Sequence, residues 1–244
     1  MKRRLTVVGP DDALTGVAPA RFERASKTCR PGDPLHRGLV RIAAIVARHG
    51  LRRAVAPSAR GPLVKALDAL EPWARGELEA RQLGRLRGDC FQTLQDIERA
   101  TLDAMRHSLH IMHAPKQTLL DEHADRAVWR YVRLSVRLAA EAVILTLDGV
   151  ASPPVLASVI QQAAAARAYQ AVGLGAARQA ELRERAVDQA IFEVRDLGTE
   201  AHSEAALALQ VWHEFLGVRW KVLHDAERAY IDQFVEWALS GAEH

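Results

Sequence analysis

Residues 209–237 read LQVWHEFLGVRWKVLHDAERAYIDQFVEW. Leu209, Leu216, Leu223, Tyr230 and Trp237 recur every seven residues, flanked by Trp212, Trp220 and Phe234. Seven residues are close to two α-helical turns, so this spacing lays the side chains along one side of a single rod. A strand cannot do so, because its faces alternate with a period of two. The segment therefore predicts a long amphipathic helix, and with it an all-α chain. Six of the thirteen aromatic residues (five Trp, three Tyr and five Phe in all) fall within it, which marks it as a main packing element.

Working upstream, Gly198 and Thr199 mark a break, with Thr199 as the expected cap of this last helix. The preceding helix is expected from Pro154 to about Leu197, with Ser152 as its cap. Its first part, Val155 to Ala177, is poor in charge but carries Gln161, Gln162, Arg167 and Gln170. That is too polar for a membrane span and fits a helix enclosed by other helices. A further helix is expected over Leu119 to Leu147, with Trp129, Val132, Val136, Ala140, Val143 and Leu147 along one side. Pro115 stops the helix before it, expected from Trp73 to about His113, in which Leu83, Leu86, Cys90, Leu94, Ile97, Thr101 and Met105 keep helical spacing. A short helix, Leu63 to Leu70, runs into Pro72.

The first helix is expected to start at Asp33, a good N-cap, with Pro34 at the first helical position, and to stop at Gly50. Leu39, Val40, Ile42, Ala43, Ile45 and Val46 form its apolar face, and Arg37, Arg41 and Arg48 an opposite ridge. Residues 1–32, rich in Pro, Gly, Asp and Ser, read as an irregular basic arm. The whole is an all-α, multi-helix bundle of about five or six helices over residues 33–244, preceded by that irregular N-terminal arm.

Composition agrees. The 244 residues are 49% hydrophobic and 26% charged, which excludes a largely disordered chain and allows one sizeable core. Cys29 and Cys90 form no CxxC pair, so the chain is expected to be a cytoplasmic protein without disulfides. The apolar run after MKRR ends at Val8, too short for a signal peptide. Arginine outnumbers lysine 28 to 5, which reflects genome composition as readily as selection for phosphate and fits an arginine-rich bacterial protein. The net charge of +3 is unevenly spread. Residues 1–60 hold thirteen Lys and Arg against four Asp and Glu, and residues 199–244 hold three against eight. The two ends attract one another, or the basic end attracts an acidic partner.

Three chemistries are weighed on this frame. The run HSLHIMHAP at 107–115 places His107, His110 and His113 three apart, with His123 just past the next turn. Neutral imidazoles at such spacing can hold a transition metal two at a time. A helix C-terminus also favours such residues on dipole grounds alone, so capping or surface histidines are the plainer account. His202, His213 and His224, eleven apart, read as residues at the edge of the core. A di-iron carboxylate site needs Glu-x-x-His on two helices, and only Asp33 precedes a histidine, His36, at that spacing. No HExxH, P-loop, GxGxxG or GxSxG occurs. The basic region Arg37, Arg41, Arg48, Arg52 and Arg53 offers an anion- or partner-binding surface, and nucleic acid is one anion it would suit.

Taken together the expectation is a non-enzymatic helical interaction module, scaffold or assembly subunit. It would bind a protein partner or itself, with no membrane and no resident cofactor. A nucleic-acid-binding helical protein and a metal-binding bundle are the alternatives.

Overall fold

The computed structural model describes residues 19–54, 60–111, 119–178 and 201–241, with side chains over 19–51, 60–103, 131–172 and 218–240. Among the described residues there are seven α-helices and no strand. They are α1 (Ala20–Thr28), α2 (Pro34–Ala54), α3 (Gly61–Ala74), α4 (Ala80–Ile111), α5 (Leu119–Asp148), α6 (Leu156–Arg178) and α7 (Ala201–Gly241). One turn of 3-10 helix, Pro153–Val155, leads into α6. No helix among the described residues is long and apolar enough to cross a membrane.

Helix α6 sits at the centre and packs against α5, α2 and α7. Ala163, Ala164, Ala165, Ala166 and Ala168 are fully buried, as are Val159, Ile160 and Val172. Side chains buried on every side of the rod explain why its sequence carries so little charge. Alanine also lets the neighbours come close. A Cβ placed on Gly50 of α2 would stand 3.1 Å from both Cα and Cβ of Ala163. Gly50 is therefore the crossing point of α2 and α6, and α2 runs on through it to Ala54, not ending there as the sequence suggests.

The outer helices are aligned by ion pairs. Arg41 meets Glu71 at 2.8 Å and Arg48 meets Asp68 at 2.6 Å, so α2 and α3 run antiparallel. Arg87 forks onto both carboxylate oxygens of Asp148 and lies over the Phe91 ring at 4.7 Å, while Arg137 reaches Glu98 at 4.0 Å, which sets α4 antiparallel to α5. Such partly exposed pairs fix register more than they stabilise. The buried side chains beneath them contribute more, about 1.5–3 kcal/mol for each large apolar residue removed from water.

Other features also differ from the sequence reading, among them the start of α4 at Ala80 and not Trp73. Part of the arm assigned as irregular is helical: α1 places Phe22 in the core with no exposure, and the helix packs against α6, α7, α2 and the 3-10 turn. Pro72 does not end α3, which continues to Ala74. The break falls at Gly76, whose φ of +80° suits glycine. Gly76 N–H donates to Trp73 O and Glu77 N–H to Pro72 O, both at 2.9 Å, the paired bonds of a Schellman cap. Ser152 precedes the 3-10 turn, but its hydroxyl makes no capping bond.

Buried His36 ties the start of α2 to the end of α5. Gly32 N–H donates to its Nδ1 at 2.8 Å, so Nε2 carries the proton and donates to Gly149 O, also at 2.8 Å. Trp73 packs edge-on against the ring at 5.5 Å. A Cβ on Gly149 would overlap the Leu156 side chain, which explains a glycine at this turn.

Candidate interaction surface

Helix α7 has two apolar faces. The inner one buries Trp220, His224, Ile231, Val235 and Leu239, spaced as one side of a helix. The outer one exposes Val218 (66%), Val222 (64%), Tyr230 (61%) and Trp237 (71%). The seven-residue stripe that announces α7 is thus only partly a core stripe: Leu223 is half-buried, whereas Tyr230, its ring 5.4 Å from that of His49, and Trp237 are mostly exposed. Tyr230, Gln233, Phe234 and Trp237 line a shallow hollow of about 370 Å³. An amphipathic helix on a bundle surface ordinarily turns charged or polar residues outward. Four large apolar side chains on one exposed helix face form the kind of patch that marks a docking site.

The inner face is anchored by polar groups as well. His49 Nε2 of α2 donates to Glu227 Oε2 at 3.0 Å, and Arg167 Nη2 of α6 donates to Glu227 Oε1 at 3.3 Å. Arg167 Nη1 reaches Gln170 Oε1 at 3.3 Å. Beside this cluster runs an aromatic column: Tyr131 and Tyr169 at 5.4 Å, Tyr169 and Trp220 at 5.1 Å, and Trp220 stacked on His224 at 4.7 Å. The column links α5, α6 and α7 and so fixes which side of α7 faces outward. Arg21 of α1 lies 3.9 Å from Glu236, and with His49–Glu227 it joins the basic start of the chain to its acidic end.

These polar anchors carry a pH dependence. The bond from His49 holds the Glu227 carboxyl below its ordinary 4.5, against the opposing effect of burial. Burial also pushes His224 below its ordinary 6.5. Both native values are depressed, so the unfolded chain takes up each proton first. Stability is expected to be full above 6.5, to fall as the pH drops through that value, and to fall again below 4.5. Urea midpoints measured across this range test it. The substitution His224→Phe keeps a ring on Trp220 and should flatten the first step alone; an unchanged slope would contradict the assignment.

The residues singled out in the sequence fall as follows. Arg37 donates to Gly32 O at 3.0 Å and to Ala74 O at 3.3 Å, capping the end of α3. Arg41 and Arg48 pair with Glu71 and Asp68 of α3, so the ridge meets carboxylates of its own chain. Arg52 and Arg53 lie in α2, and their side chains are outside the described residues. His107 and His110 lie in α4 and His123 in α5, again without described side chains, and His113 falls outside the described residues. Among the described residues no group of three or more His, Cys, Asp or Glu side chains is placed to hold a metal ion. Cys90 is buried, which pushes its thiol up to about 11, far from the thiolate form at neutral pH.

Sequence reasoning missed the outer face of α7 and the Arg167–Glu227–His49 cluster. The first had a signal in Val218 and Val222, four apart and off the seven-residue stripe. The second had one in Arg167, a lone charge in an alanine-rich run. Comparison of the chain with family models, curated proteins and solved structures returns no match.

Proposed function

We propose that the chain is a non-enzymatic helical interaction module, a scaffold or assembly subunit, and that the outer face of α7 is where a partner protein docks. The observation that carries this reading is the two-faced helix: Val218, Val222, Tyr230 and Trp237 are exposed while the opposite side of the same helix is built into the core. A partner helix laid along the face would bury these side chains, and large aromatics such as Tyr and Trp are the residues that dominate such contacts. The inner anchors hold α7 in place, so the face is presented preformed and little ordering is needed on binding.

Photocross-linking tests this directly. A photoreactive residue substituted at Val222 or Trp237 is expected to yield adducts with a protein chain in the native cell. The same residue at Lys65, exposed on α3, is the control and should yield none. Adduct yields no higher from α7 than from Lys65 would remove the reading.

A further inference from the structure

We infer that the occupant of the outer α7 face is the same face of a second copy of this chain, with the two helices antiparallel. This rests on the docking reading above and names its partner. Val218, Val222, Ala226 and Tyr230 follow one another four apart, with Ala229 beside them, and all are exposed. The row is graded in size: valines toward the N-terminal end, alanines in the middle, Tyr230 and Trp237 toward the C-terminal end. A reversed second copy sets large against medium at both ends. It sets alanine against alanine at the centre, where the backbones come close.

Charge selects the same orientation. Lys221, Asp225, Asp232 and Glu236 fall within about 60° of one another on the helix and form one edge of the row. Lys221 stands at one end of that edge, and Asp232 and Glu236 at the other. In an antiparallel pair related by a two-fold axis, each edge meets its own copy reversed. Lys221 then lies beside Asp232 and Glu236 of the second copy, twice over. A parallel two-fold pair instead turns the two edges to opposite sides of the contact, and the pairing of Lys221 with Asp232 and Glu236 is lost. The present partners of these groups do not forbid the exchange: Lys221 holds Asp225 at 2.7 Å, Arg228 holds Asp232 at 2.8 Å, and Arg21 lies 3.9 Å from Glu236. The row from Val218 to Trp237 is roughly 30 Å of helix. A helix pair of that length buries on the order of 1,000 Å² in total, at the lower end for specific association, which implies a concentration-dependent dimer.

Sedimentation equilibrium of the full chain tests the inference. Wild type is expected to dimerise reversibly. K221E and E236K should each weaken association at least roughly ten-fold, and an equimolar mixture of the two should recover it, because each supplies the charge the other lacks. A dimer indifferent to both substitutions, or one not recovered by mixing, overturns the antiparallel pairing. So does a chain that stays monomeric at every concentration. If that monomer still cross-links from Trp237 to a different protein, the docking reading stands and self-pairing alone fails. If it cross-links only within its own chain, or to nothing, both fail.

Discussion

Gly50→Leu is expected to lower stability by about 3 kcal/mol or more, because the new side chain has no room between α2 and α6. A single Cβ at this position would stand 3.1 Å from the Cα of Ala163, and that atom belongs to a backbone enclosed by α5, α2 and α7. A flexible neighbour could swing away; a central helix cannot. The expected fall in melting temperature is roughly 6–12 °C for a chain of this size. Gly50→Ala is the companion measurement. It gains about 1 kcal/mol of helix propensity and meets a milder clash, so it should lie near wild type. If leucine is tolerated as well as alanine, α2 and α6 do not cross at this residue.

Phe22→Ala is expected to cost about 3–5 kcal/mol, the usual range for emptying a fully buried phenylalanine site. The nine-residue helix α1 is too short to persist alone in water. Phe22 is its fully buried apolar side chain in the core, where the helix packs against α6, α7, α2 and the 3-10 turn. Tryptic cleavage at Arg24 and Lys27 should accelerate in the variant along with the loss of urea resistance. A stability within about 1 kcal/mol of wild type, with no faster cleavage, would mean that α1 adds little to the bundle.

The fold was legible wherever apolar spacing alone decides it. Leu119 to Leu147 is α5 to within a residue, and the core positions Val136, Ala140, Val143 and Leu147 face inward as their spacing requires. The expectation of an enclosed helix near Val155 is met by α6. Errors fall where two local signals compete. The sequence reading places the break at Pro72, whereas a proline near a helix end is tolerated and the left-handed Gly76 after it ends the helix outright. The sequence puts Ile45 with the apolar face of α2, yet it lies three to four residues from Arg41 and Arg48 and is 53% exposed on their ridge. The interaction surface was harder to read. A seven-residue repeat states that a helix has an apolar side, but not which neighbour takes it. That depended on the column Tyr131–Tyr169–Trp220–His224 and on Glu227, contacts between residues up to 178 positions apart.

The alanine run in α6 has a thermodynamic consequence of its own. Alanine has no χ angles to freeze, whereas each buried leucine or isoleucine forfeits about 0.5–1 kcal/mol of rotamer entropy. The run from Ala163 to Ala166 is therefore ordered at the cost of its main chain alone. Side-chain losses fall on Val159, Ile160, Tyr169 and Val172 to either side of that run and on the larger side chains of the surrounding helices.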